Sequence, residues 1–427
     1  MGRYEASGAE ICWISKEKFQ QIHKRREEAT REKYEAIIHG KCCENGVREL
    51  DFYDKLEQTG LDRLIKYPLN DLEVINLGRS FIDDAVIEDL SNKSNWNNLR
   101  KLNLPANEIE DTGCQILRST KAWKNLKSLD LSQNIFDEEG IAEIVKAWPS
   151  LVELNLEQAD LSTQSIRLLA TNSIWENLRF LNLSDCVLHA ADPAALAKNQ
   201  TWENLERLEL INNSIGPAGA LELSRNMTWR NLKRLGLDCN KLGDDGVVGI
   251  ANNIAWGKLE FLSLSSNGIG PAGAVALANK AWRNNLKVLQ LDDNKLDEEG
   301  GTAIGENCSW ESLEVLTLSH CKIGDKAAQA IASNTTWTHL RQLNLSYNNI
   351  RKEGGIAIGS NVSWEKLEEL YLSYNQIKDE GAIAILSNTS WKNLAVLELE
   401  KNESLIRAQL RLQNILFGET WSVYLSL

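Results

Sequence analysis

Apolar positions recur along this chain at fixed steps. Residues 340–348, LRQLNLSYN, set Leu340, Leu343 and Leu345 in the order L-x-x-L-x-L and close on Asn348. Alternation of apolar and polar positions around Leu343–Leu345 predicts a short strand with one buried face. Ile350, Gly354 and Ile358 follow at four-residue steps, the spacing of one helix face. A side chain in place of Gly354 is expected to hold that helix away from the sheet. Asn361 stands at the expected helix C-terminus, where asparagine tolerates a left-handed backbone. Trp364 comes next, and Leu367 opens the following strand.

The phrase repeats. Its first leucine falls at Leu72, Leu99, Leu126 and Leu151, and so on to Leu394, which makes thirteen units. Every step is 27 residues except the 25 between Leu126 and Leu151. One strand and one helix cannot cover their own apolar side, so such units stack and bury it against each other. The position of Asn348 is asparagine in nine units and Cys186, Cys321, Ala159 or Ser80 in the others. Its amide is placed to bond the backbone of neighbouring turns.

Composition adds one outlier. Apolar residues at 43% and charged residues at 25% are ordinary, whereas fourteen tryptophans in 427 residues are not. Twelve belong to the phrase, from Trp96 to Trp391, and are expected to form a buried column rather than an aromatic platform for a ligand. The net charge of −13 argues against nucleic acid and suits a basic protein partner. Eight cysteines at irregular spacing, with no Cys-x-x-Cys, read as reduced thiols of a cytosolic-type protein. No secretory signal and no apolar run long enough for a membrane span is read, so a cytoplasmic location is expected. Asn-x-Ser/Thr triplets, as at Asn334 and Asn361, arise from the phrase itself.

The repeat divides the chain into residues 1–71, an N-terminal helical cap region; 72–402, the array; and 403–427, a C-terminal cap. Residues 15–39 read as one charged helix ended by Gly40. VRELDF at 47–52 reads as a degenerate strand, followed by a helical stretch to Tyr67. Residues 403–417 read as a closing helix over Trp421 and Tyr424. Caps are needed because an open end exposes strand edges.

These residues resemble the ribonuclease-inhibitor-like class of leucine-rich repeats, through L-x-x-L-x-L-x-x-N-x-I-x-x-x-G-x-x-x-I-x-x-N-x-x-W over about 72–402. They are similar to repeats of NOD-like receptors and of leucine-rich effectors of intracellular bacteria, which often carry leucine where this chain carries tryptophan. The resemblance implies an α/β horseshoe solenoid, with a parallel sheet on the concave side and helices on the convex side. It also implies protein binding on the concave face. An effector of this kind would act in the host cytosol.

Positions three, five, seven and eight of L-x-x-L-x-L-x-x-N are expected to look inward. In the later units they carry Asp292, Asp293, His320, Tyr347, Tyr371 and Tyr374. Tyrosines favour binding hot spots, and the two aspartates suit a basic patch. The middle units add Arg207, Arg234, Asp238 and Phe261. The two arginines could grip an acidic group or pair locally with Glu209, Glu206 or Asp238.

No histidine pair at metal-ligand spacing and no nucleophile or phosphate-loop motif occurs. His320 beside Cys321 is a poor catalytic pair, because adjacent strand residues point to opposite sides. A non-catalytic protein-binding scaffold without a cofactor is therefore expected. The competing reading is a regulator of the GTPase-activating kind, for which Arg79 is the candidate arginine by position. Oligomeric state and partner identity are not encoded in any of these features.

Overall fold

The computed structural model describes residues 47–402, apart from 55, 57, 68, 94 and 280–284, together with the strand at 424–426. The charged helix expected over 15–39 and the closing helix expected over 403–417 lie outside the described residues, as do Trp282 and Trp421.

Among the described residues, fifteen short strands form one parallel sheet in which spatial order equals chain order. Register follows the repeat: Leu343 of the strand Gln342–Asn344 lies opposite Leu316 on one side and Leu370 on the other. In that strand Leu343 is buried and its two neighbours are half-buried, as alternation requires. The sheet extends at both ends past the thirteen units. Glu49–Asp51 pairs with Val74–Asn76, and Tyr424–Ser426 pairs with Val396–Glu398. A helix over Gln58–Leu64 follows the first strand. The 25-residue unit keeps its register, since Leu129 still faces Leu154. The two missing residues come out ahead of Trp148, after the seven-residue helix Glu138–Ile144.

Three side-chain ladders tie the turns together. Asn348 Nδ2 donates to the carbonyl of Leu318 in the preceding turn (2.7 Å) and to that of Leu345 (3.0 Å). Its Oδ1 accepts from the amides of Cys321 (3.0 Å) and Ile323 (3.1 Å). One asparagine thus satisfies two turns of strand-exit backbone. Where cysteine replaces it, the thiol keeps the donor half: Cys321 Sγ lies 3.1 Å from the Leu291 carbonyl.

The second ladder corrects an expectation. The asparagine after each helix is not left-handed; Asn334 has φ −75° and ψ 110°. Its role is to reach back. Asn361 Nδ2 donates to Ala332 O (2.8 Å), while its Oδ1 accepts from the amides of Ser363 (3.0 Å) and Trp364 (3.1 Å). The Asn-x-Ser/Thr triplets follow from this turn, and the amide nitrogens of Asn334 and Asn361 are buried and engaged.

The third ladder runs along the helix N-termini. Asp325 Oδ1 accepts from Arg351 N (2.7 Å) and Gly354 N (2.9 Å) of the following turn. It supplies a negative charge where the helix dipole favours one. This also revises the reason for Gly354. A Cβ there would fall 2.7 Å from Asp325 Oδ1 and 3.0 Å from Ala328 Cβ, so the glycine sets helix-to-helix spacing rather than helix-to-sheet spacing.

The eleven described tryptophans of the phrase are at most 5% exposed, which excludes a ligand platform and leaves a structural spine. Rings of Trp96 and Trp123 stack at 6.4 Å, and those of Trp364 and Trp391 at 6.3 Å. Trp148, in the shortened unit, and Trp175, one turn later, donate their indole N–H to Trp123 O (3.0 Å) and Ala147 O (2.9 Å). The other nine buried indole nitrogens have no acceptor within reach.

Candidate protein-docking face

With leucines, ladders and tryptophans committed to stacking, the inward positions are left to vary. The eighth position of each phrase has a backbone demand that its residue types conceal. From Asp54 to Lys401 it is left-handed, with φ 54° at His320 and 58° at both Tyr347 and Tyr374. For an L-residue this costs about 1–2 kcal/mol, and glycine, asparagine and aspartate bear it best. Ladder bonds hold it in place: Tyr347 N donates to Ser373 O (2.8 Å) and Tyr374 N to Glu400 O (2.7 Å).

Three consecutive turns carry rings at this position. His320 and Tyr347 stack at 4.2 Å and 16°, and Tyr347 and Tyr374 at 4.1 Å and 10°. Both tyrosines are 42% exposed, so the ridge faces solvent. A side-chain hydrogen bond with Tyr374 raises the pKa of Tyr347. Tyr371, at the fifth position, is separate from the ridge and half-buried. Its hydroxyl donates to Glu369 (2.9 Å), and burial followed by that bond pushes its pKa up to about 12.

Phe261, Val288 and Val315 are half-buried at the third position of successive strands. They line the opposite side of the inner surface from the ring ridge. Beside this row, in the turns that precede the ridge, the floor holds small polar side chains and two carboxylates. Asp238 accepts from Ser263 Oγ and from Ser265 N (2.6 Å). Asp292 accepts from Ser319 N (2.7 Å) and Thr317 Oγ1 (2.5 Å). Burial raises the pKa of Asp292 above the ordinary aspartate value, and Asp293 and Asp238 push it the same way. Asp293 is exposed beside it.

Arg207 and Arg234 are engaged locally. Arg234 lies over the Phe261 ring, 3.4 Å from its centroid, and its Nε donates to Glu209. Arg207 lies over Phe180 at 4.7 Å, with a guanidinium nitrogen 3.9 Å from the same carboxylate. Glu209 is 6% exposed because Gly236 on the next strand makes room; a Cβ there would fall 2.0 Å from its Oε2. Local pairing of the two arginines with Glu209 was open to the sequence, but not the resulting Phe–Arg–Arg–Phe arrangement. Its signal was the shared third position in four successive strands, Phe180, Arg207, Arg234 and Phe261.

His320 and Cys321 part as expected. The imidazole is exposed, while burial pushes the Cys321 thiol up to about 12. Burial likewise holds the thiols of Cys114 and Cys186 above the ordinary range, which makes them poor nucleophiles. Arg79 is exposed at the same left-handed position as the ring ridge, nine to eleven turns away along the sheet. Among the described residues no cluster of three metal-ligating side chains occurs, and no helix is long and apolar enough to cross a membrane.

Six stretches, 230–251, 258–278, 284–305, 311–332, 338–359 and 365–386, match the leucine-rich-repeat family model. The fold is that of a leucine-rich-repeat solenoid. Solved structures of similar fold include an internalin of Listeria monocytogenes, with 20% identity, a TM-score of 0.54, and 85% of this chain and 92% of that one covered. A leucine-rich-repeat protein of Leptospira interrogans is 23% identical with a TM-score of 0.52, covering 89% of this chain and 90% of that one. A chain of the yeast Rad7–Elc1 complex is 17% identical with a TM-score of 0.50, covering 91% and 94%. At these identities the likeness of this leucine-rich-repeat protein to them is one of fold. No curated protein matches it in sequence. Leucine-rich-repeat proteins generally mediate protein–protein interactions.

Proposed function

We propose that this leucine-rich-repeat protein is a non-catalytic scaffold of the ribonuclease-inhibitor-like kind that binds a folded, basic partner on its concave face, as an inhibitor or sensor in the cytoplasm. The observation that carries the reading is the exposed ladder His320–Tyr347–Tyr374. Bulky rings there bear a left-handed backbone that smaller residues would adopt at less cost, which is the mark of a position kept for its surface. Around the ridge the inner sheet, roughly 60 Å along its arc at about 4.8 Å per strand, offers ample room for a partner. A standard interface needs about 800 Å² per side.

The test is capture from cell extract by the wild type and by a Tyr347→Ala, Tyr371→Ala, Tyr374→Ala variant of equal thermal stability. The reading expects a partner held by the wild type and lost from the variant. Equal capture by both would place docking elsewhere.

A further inference from the structure

The inner surface beside the Phe261–Val288–Val315 row, in the turns that lead up to the ring ridge, has negative charge that the fold leaves unmatched. On the same face Glu209 meets Arg234 and Glu153 lies 3.9 Å from Lys101, whereas Asp130 and Glu157 are held by neutral side chains. Asp238, Asp292 and Asp293 have no cation within ion-pair distance among the described residues. Asp238 and Asp292 are instead pinned by hydroxyls and backbone amides, which fix their carboxylates in place on the groove floor.

Spacing adds a second constraint. Asp238 and Asp292 occupy the same register two turns apart, so about 9.6 Å separates them along the sheet at ~4.8 Å per strand. A polyproline II segment repeats its side chains every third residue, at about 9.3 Å. Two cationic residues three positions apart would therefore meet both carboxylates at once. Phe261 and the two valines beside the carboxylates, and the rings from the next turn onward, would cover the aliphatic stems of those residues.

Resting on the concave-docking reading above, we infer that this groove seats an extended segment of the partner that carries lysine or arginine at every third position and lies along the solenoid axis. The Phe261–Val288–Val315 row flanks the groove beside the carboxylates, and the ring ridge begins one turn beyond Asp292 and carries the surface on from there. Arg234, already matched by Glu209 and Phe261, closes the end nearest Asp238, and Lys401 stands one turn beyond Tyr374.

Fluorescently labelled twelve-residue peptides test this on the full chain. One repeats Arg-Ser-Pro, the second Lys-Ser-Pro and the third Glu-Ser-Pro. Both cationic peptides are expected to bind, with affinity that falls as salt rises, and the glutamate peptide is not. An Asp238→Asn, Asp292→Asn variant should lose at least about tenfold in affinity, because two charge-assisted contacts go while the side-chain shape stays. A Tyr347→Ala, Tyr374→Ala variant should weaken binding with its salt dependence retained. Equal binding of all three peptides, or wild-type affinity in the double asparagine variant, overturns the inference. If the cationic peptides fail while a whole partner still cross-links to the concave strands, the cationic chemistry is wrong and the docking reading stands.

Discussion

The ring of Tyr347 lies 4.1 Å from that of Tyr374, nearly parallel to it, although 27 residues separate them. The stack exists because the solenoid returns the same position to the same place one turn later. Both residues also share a left-handed backbone. Stability and binding should therefore separate at this site.

Tyr347→Asn provides that separation. Asparagine relieves the left-handed strain and loses the ring contact, two effects of about 1 kcal/mol each that oppose one another. Asn212 already fills the equivalent position in an earlier turn. Denaturant unfolding should place the variant within about 1 kcal/mol of the wild type, while partner capture falls. A large loss of stability would mean that the ridge serves the fold.

Asn348→Ala should be costly. It strips hydrogen bonds from the backbone of two turns at a buried site, for a loss on the order of 3–5 kcal/mol. Asn348→Cys should cost roughly half as much, since Cys186 and Cys321 show that a thiol keeps the donor contact. Comparing the two midpoints in a urea series checks the ladder; equal losses would show that the donor half counts for nothing.

The tryptophan spine predicts an asymmetry. Trp175→Phe removes a hydrogen bond from a buried indole, whereas Trp256→Phe removes an N–H that has no acceptor. The first should cost about 1 kcal/mol more than the second. Thermal unfolding of the two variants, measured side by side, decides it.

Asp292 links pH to stability. Its folded-state pKa is raised above 3.8 by burial, so the folded chain binds its proton more readily than the unfolded chain does. Stability contributed by this group must then fall as pH rises through the folded value, and the burial penalty disappears below about pH 4. Asp292→Asn should be more stable than the wild type at pH 7, with the gap closing toward pH 4. A gap that widened on acidification would reverse the sign of the argument.

Much of the fold was legible because the repeat dictates it. The leucine spacing gave the strands, the four-residue steps gave the helices, and VRELDF gave the strand at Glu49–Asp51. What escaped was set by contacts one turn away. Asn334 looked like a left-handed cap because its partners, Gly305 and Asn307, lie 29 and 27 residues back. Gly354 looked like a sheet contact because its neighbour Asp325 sits on the previous helix. At the candidate docking face, His320, Tyr347 and Tyr374 could be lined up by register. Tyr371 joined them by residue type alone, and it bonds Glu369 instead. The left-handed eighth position was hidden because Arg79, Gln133 and Tyr347 are not residues that advertise it.

The central claim is that the inner curve of the sheet, near the ring ridge, is where a partner docks. A photoreactive residue installed at Gln342, half-buried on a concave strand, and another at Ile356, exposed on a convex helix, test it directly in cell extract. The account predicts a discrete cross-linked species from position 342 that Tyr347→Ala, Tyr374→Ala abolishes, and none from position 356. Cross-linking from the convex position alone would contradict it.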